Sequence, residues 1–500
     1  MKLISRYGKR IGFCAIVAAA MGASLGPAAR GEGNAPAERL IGAALGGGRA
    51  YQIAEELTDG VGARPSGSDG AARAVKWAVG EMRALGFKNV HTEAVRTPRW
   101  IRGTAEAEIV APAPQAMHVV ALGPSVPTGP GGITADVVEV ATFDQLKALG
   151  DAVRGKIVLF NPRPMQRGRT FEEYARVQAF RGGGAVAAGR LGAVAVLVRS
   201  AGTGAFRLPH TGGMHYDESV PKIPAAAVSA EDAELINRLI SSKRHGAAVR
   251  VRLVLTPKFD GEVESANVVG EVPGHERAGE IVLLGAHLDS WDLATGAIDD
   301  AAGCGIVMDA ARIIAGAGRT PKRTVRVVLF MNEEMGLSGA RAYATAHAGE
   351  LGKHVAALEV DSGGGRTAGF GVVGAGGVAL LKKIVAPLAT LGAATVTEAQ
   401  EAGADLSPLG GKVAQFSLEQ DLTTYFDWHH TAADTFDKLD AMDLAIDTAA
   451  VAVAAYGLAD ATETLPIVAP TRRGPPQPAA QPAVSQPGAS APASPGATAK

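Results

Sequence analysis

The stretch Glu280-Ile-Val-Leu-Leu-Gly-Ala-His-Leu-Asp-Ser-Trp-Asp-Leu-Ala-Thr-Gly-Ala-Ile-Asp-Asp300 decides the fold. Its apolar start, 280–285, has the length and aliphatic content of a buried strand, and the segment after it, 301–315, has the length and spacing of a helix. The pattern then repeats. A strand over 324–331 leads into a helix over 338–347, and a strand over 354–360 leads into the loop Gly363-Gly-Gly365. Strands alternating with longer helices predict an α/β fold: an open, largely parallel sheet flanked by helices. In such sheets ligands gather outside the carboxyl ends of the strands.

Those ends carry the chemistry. His287 and Asp289 follow the first strand, Asp299 and Asp300 open the first helix, Glu333 and Glu334 follow the second strand, and Asp361 follows the third. A further pair, His429 and His430, lies in Tyr425-Phe-Asp-Trp-His-His-Thr-Ala-Ala-Asp-Thr435. Singly, each has an ordinary explanation, since acids cap helix starts and surface imidazoles hydrogen-bond. Together they are the ligand set expected of zinc. Two Zn²⁺ ions would bring four positive charges, Asp299, Glu334 and Asp361 would return three, and with His287 and His430 neutral one bridging hydroxide closes the balance.

Outward from this core, a helical pattern over 69–85 follows the turn-rich 62–70 and stops at Gly86. Short runs rich in valine and isoleucine follow at 105–110, 117–122, 133–138, 156–160 and 193–198, a texture that predicts a β-rich unit inserted at 112–257. The α/β unit is then split into 31–111 and 258–465. Residues 1–30 have basic Lys2, Arg6, Lys9 and Arg10, an apolar run over 11–25, and small residues at Ala28 and Ala29, the pattern of a secretory signal peptide. That run falls short of the ~20 apolar residues a membrane span needs, so export to a periplasmic or secreted location is expected, with no stable membrane insertion. Cys14 leaves with it, and Cys304 alone cannot form an internal disulfide. Residues 466–500, nearly all Pro, Ala, Ser, Gly, Gln and Thr, read as a disordered tail. With 49 basic and 50 acidic residues and no basic cluster in the folded part, nucleic acid is not an expected partner.

The ordered series His287-Leu-Asp289, Asp299-Asp300, Glu333-Glu334, Asp361 and His430-Thr-Ala-Ala-Asp434 resembles the co-catalytic zinc aminopeptidase and carboxypeptidase family. The motifs His287-Leu-Asp-Ser-Trp-Asp292 and Tyr425-Phe-Asp-Trp-His-His430 are similar to its carboxypeptidase Q branch and bacterial relatives. The resemblance covers about residues 40–465 and implies the zinc exopeptidase fold, with the β-rich unit as a protease-associated domain that narrows access to the metals. It implies two Zn²⁺, one held by His287 and Asp361, the other by Glu334 and His430, with Asp299 bridging. Glu333 would be the general base, Asp289 would orient His287 through its second nitrogen, and the Asp299-Asp300 peptide would be cis. Some relatives carry a Tyr before the last His ligand. His429 stands there, either as an oxyanion donor in its place or as the ligand itself, and the spacing to Asp434 and Thr435 favours His430 as ligand.

The expected substrate is a dipeptide or short peptide, and a homodimer is compatible with the sequence. A carboxypeptidase or dipeptidase is favoured over an aminopeptidase of the same family, and both over a non-catalytic receptor-like relative or a single-zinc glutaminyl cyclase. The stretch Leu208-Pro-His-Thr-Gly-Gly-Met-His-Tyr216, with His210 and His215, reads either as a segment that reaches the cleft or, favoured, as a solvated turn; Gly363–Gly365 and 374–377 read as turns and not phosphate cradles, and Arg207 as a cation that the sequence cannot place.

Overall fold

A computed structural model describes residues 35–168, 171–204, 206–242 and 248–471. The signal-peptide expectation and the tail beyond residue 471 lie outside the described residues.

Among the described residues, two eight-stranded sheets organise the chain. The first runs edge to edge as Lys88–Ile101, Lys258–Val272, Arg323–Phe330, Arg277–His287, His354–Glu359, Gln415–Gln420, Thr367–Val373 and Thr395–Ala399. Its centre is parallel, from Arg323–Phe330 across to Gln415–Gln420. The flanks are mixed, with antiparallel pairing on both sides of that centre. The central strands are buried along nearly their whole length, which accounts for their continuous apolar runs.

Helices cover the sheet. Ala302–Ala315 packs on it together with Ala441–Asp460, a helix long and apolar enough to cross a membrane by composition but buried in this core. Burial on nearly every side explains why it shows no apolar stripe.

The second sheet is built from strands between residues 105 and 255, antiparallel at both ends and parallel across Ile133–Val140, Ile157–Phe160, Ala195–Arg199 and Ala225–Val228. Ala105–Ala111, which a boundary at 112 leaves outside the insertion, hydrogen-bonds to Arg250–Leu255 within it. The chain therefore passes between the units at residues 102–104 and returns at 256–257. The long strands Lys88–Ile101 and Lys258–Val272 pair antiparallel from Lys88 with Glu271 to Ile101 with Lys258, and this ribbon carries the insertion at its far end. At the other terminus, the first residues of the expected tail pack on the first unit. Pro466, Val468 and Ala469 approach Gly376, Gly374 and Gly411, and Thr471 N donates to the Gln400 carbonyl.

Candidate metal centre

Strand register builds the site. His287 pairs with Phe330 and Gly285 with Glu359, so three neighbouring parallel strands end at one level and deliver His287, Glu333 and Asp361 to the same edge. Asp299 and Asp300 enter on the loop before Ala302–Ala315, joined by a cis peptide as the resemblance implies. They face opposite ways. Asp300 turns back to the scaffold, accepting from His287 N at 3.1 Å and Gly303 N at 3.0 Å. A Cβ on Gly303 would sit 2.1 Å from the Val360 carbonyl and 2.3 Å from Asp300, so only glycine fits there.

Asp299 faces the histidines. Its Oδ1 lies 2.9 Å from His287 Nε2, and its Oδ2 lies 3.1 Å from His430 Nε2 and 3.4 Å from His429 Nε2. Asp361 Oδ1 is 3.5 Å from His287 Nε2, and Glu334 Oε2 is 3.0 Å from His430 Nε2. One carboxylate thus spans two ligand groups. His429 approaches Asp299 alone, whereas His430 reaches both Asp299 and Glu334.

The tautomers say what belongs between them. His287 Nδ1 lies 3.0 Å from the Asp289 carbonyl and His430 Nδ1 lies 3.2 Å from the Thr211 carbonyl. A carbonyl oxygen only accepts, so His287 Nδ1 carries hydrogen and, in the neutral ring, its Nε2 is bare; His430 Nδ1, which also stands 3.4 Å from Arg181 Nη1, takes the same tautomer where it donates to Thr211. Those nitrogens face carboxylate oxygens, acceptor against acceptor unless a proton or a metal ion stands between them. Asp299 Oδ2 and Glu334 Oε1 are also buried with no hydrogen-bond partner. The donor set fits zinc in both halves.

Electrostatics agree. Burial works to lower the His287 pKa, but Asp361 and Asp299 outweigh it and hold the imidazole well above its ordinary value. Burial likewise opposes protonation of His430, and Glu334 and Asp299 overcome it. In the bare protein a proton stands where a metal would. Burial, then neighbouring acids, raise Glu333, Glu334 and Asp361 above the usual carboxylate range, as expected of acids converging without a counter-ion. His429 is held well below its ordinary value by burial and by His430, so it stays neutral.

One assigned role moves. The Asp289 carboxylate stays 4.0 Å from His287 Nδ1 and instead takes Asn332 N at 2.6 Å, Glu333 N at 3.1 Å and the Ser66 hydroxyl at 2.7 Å. It is the Asp289 main-chain carbonyl that orients His287, and the side chain fixes the turn that presents Glu333. The stretch 208–216 is not a solvated turn throughout. His210 and Thr211 are buried against residues 429–430, while His215 is exposed. Arg207 is spent on Asp232 at 2.6 Å.

Several residues escaped the sequence. Arg64, fully buried, donates to the carbonyls of Leu288, Thr295 and Gly296 and braces the loop that carries Asp299. Asp434 Oδ1 accepts from Ala297 N and Ile298 N on the same loop. The Tyr425 ring is wedged between Gly363 and His429, and Trp291 lines the cleft with Asp299, Glu334 and His430. The turn Gly62–Gly70 and the Asp434 spacing were the available signals for the first two. Trp291 and Tyr425 stand inside the motifs quoted above, but residue identity alone gave neither ring a role.

Residues 267–455 match the family model described as peptidase family M28, and residues 121–236 match the PA domain model. Carboxypeptidase Q of Mus musculus is 36% identical over 420 residues, 84% of this chain and 87% of that protein, and its Homo sapiens counterpart is 35% identical over the same span. Among solved structures, a peptidase M28 precursor from Shewanella amazonensis superposes with a TM-score of 0.83 at 40% identity, covering 87% of this chain and 98% of that one. A zinc aminopeptidase from Bacillus subtilis shares the fold, with a TM-score of 0.57 at 20% identity over 82% of this chain and 93% of that one.

Proposed function

The chain belongs to peptidase family M28, and from that premise we propose that it is a two-zinc exopeptidase acting on dipeptides or short peptides, as a carboxypeptidase or dipeptidase. The observation that carries the two-metal assignment is the pair of imidazole Nε2 atoms facing the two oxygens of Asp299. His287 and Asp361 would hold one ion, Glu334 and His430 the other, and Asp299 both. When bound, the ions would acidify a water and polarise the scissile carbonyl.

The protein's own part is proton handling and placement. Glu333 is half-buried, hydrogen-bonded through its main-chain N to Asp289, and its carboxylate is surrounded electrostatically by His287, Asp361 and Glu334. It would take a proton from the attacking water and return it to the leaving amine. His429, neutral and facing Asp299, would donate to the developing oxyanion. The inserted unit packs against the residues beside His430, which favours a chain end over the middle of a folded protein. Relatives named carboxypeptidase Q favour attack at the carboxyl end. Export, read from residues 1–30, completes the proposal.

Paired blocking tests it. Zinc-loaded protein should cut an N-acetylated dipeptide and spare its C-terminal amide. The opposite pattern makes it an aminopeptidase, and cleavage of long chains blocked at both ends removes exopeptidase action. Glu333→Gln should keep both ions and lose ~10²- to 10⁴-fold in turnover. Near wild-type activity with full metal content removes Glu333 from the role.

A further inference from the structure

We propose that the inserted unit is part of the metal centre itself: Thr211, braced by Arg181, clasps His430 and orients it toward its ion. The inference rests on the two-metal proposal above and deepens it.

His430 sits at φ 61, outside helix and strand, in a conformation few non-glycine residues adopt. Among the described residues, the outer nitrogen of its imidazole is held by the inserted unit and not by its own. Nδ1 lies 3.2 Å from the Thr211 carbonyl, and Thr211 N donates back to the His430 carbonyl at 2.9 Å. The same residue therefore fixes both the main chain and the ring of the ligand, across 219 positions of sequence.

Thr211 is in turn fixed from several sides. It is fully buried, its hydroxyl donates to the Ala121 carbonyl at 3.1 Å and accepts from Arg102 Nη1 at 2.7 Å, and its carbonyl accepts from Arg181 Nη1 at 3.1 Å. Arg181 belongs to the inserted helix Glu172–Arg190. It is 6% exposed and, among the described residues, pairs with no carboxylate. A buried guanidinium without an acid is costly, so its position calls for a reason. Its contacts supply one. It lies over the Tyr174 ring at 5.3 Å, donates to Thr211, and stands 3.4 Å from His430 Nδ1, on the outer side of the imidazole.

The inner nitrogen, Nε2, is thereby directed at Asp299 and Glu334. Gly212, at φ 141, makes the approach possible, because a Cβ there would fall 2.2 Å from Arg181 Nη1. A carbonyl that takes the outer N–H fixes the tautomer and the ring plane of a metal ligand, and loss of such support typically weakens metal binding ~10- to 100-fold. Arg181 and Thr211 are positioning residues in this sense.

The experiment is metal binding by the full chain: zinc retained per chain against a graded chelator, by elemental analysis, and Co²⁺ titration followed by visible absorption. Arg181→Gln should weaken one of the two ions by ~10- to 100-fold, alter the cobalt spectrum of that ion alone and leave the other in place. Arg181→Lys, which keeps a donor, should lie nearer wild type. Gly212→Ala, which displaces the guanidinium but retains it, should repeat the one-ion effect and serves if Arg181→Gln does not fold. Arg199→Gln is the control. Arg199 is buried in the same unit but bonds Asn161 and Glu234, and its loss should leave both ions bound as in wild type. Unchanged binding in Arg181→Gln, equal weakening of both ions, or the same effect in Arg199→Gln overturns the clasp. A wild-type chain that binds no metal would instead remove the two-metal proposal, and the clasp with it.

Discussion

The two halves of the proposed metal centre share Asp299 but are supported in different ways. The His287 half is home-built. His287 closes a central strand, its outer nitrogen bonds to a carbonyl two residues away, and its main-chain N is pinned by Asp300 thirteen positions on. The His430 half is borrowed. Its ligand rides on an irregular loop at positive φ, and its outer nitrogen is taken by a unit more than two hundred residues distant in sequence. A half-site made by strand register forms whenever the sheet forms. The other exists only when the insertion is docked, so docking and metal binding should be coupled on one side alone.

Asp299→Ala should be the most damaging change, because it removes the element the halves have in common. Metal content should fall from about two ions to less than one per chain, and activity to background. Retention of one tightly held ion would show that the halves are independent. Next in size is the histidine pair. His430→Ala should lose one ion, whereas His429→Ala should keep both and lose ~10²-fold in turnover, the typical value of an oxyanion donor. If His429→Ala sheds an ion and His430→Ala does not, the borrowed half is built on the other ring. The 3.7 Å stack of the two rings makes that a fair contest.

The difference between the halves also marks how far the sequence could be read. Strand-end placement made His287, Asp299, Glu333, Glu334 and Asp361 legible, because period and length locate strands, and parallel strands end together. The expected strand over 354–360 and helix over 301–315 differ from the structure by one residue at an end. The ribbon of Lys88–Ile101 and Lys258–Val272 was missed because its polar, exposed ends carry no alternating pattern. Ala441–Asp460 is apolar on nearly every side and offers no phase to read. The Thr211 clasp was invisible for a different reason. It is made by main-chain atoms of a glycine-flanked stretch whose composition looks like a turn, and neither atom type nor partner is written in residue identity.

The smallest predicted effect tests whether the His287 half is supported as firmly as its construction implies. Behind the loop that follows Asp361, Gln420 Nε2 donates to the Gly363 carbonyl at 2.8 Å and to Asp447 Oδ2 at 2.7 Å, while Asp447 Oδ1 takes Thr367 N at 2.8 Å. Asp447 is fully buried on the core helix, and burial pushes its carboxyl up to about 8 against the hydrogen bonds that favour its charge. The sign follows from linkage. Unfolded, the group loses its proton near pH 4; folded, it keeps it to about 8, so the folded state binds more protons in between and stability falls as pH rises through that window. The slope from one group approaches ~1.4 kcal/mol per pH unit at most. Asp447→Asn cannot ionise, so denaturation midpoints of the zinc-loaded variant should lose this component of the decline over the upper part of the window, about pH 6 to 8, where both ions stay bound. Parallel pH profiles for wild type and variant would place the Asp447 carboxyl outside this window. Loss of an ion from Asp447→Asn would mean that the His287 half also depends on distant support, and the contrast between the halves would shrink to one of degree.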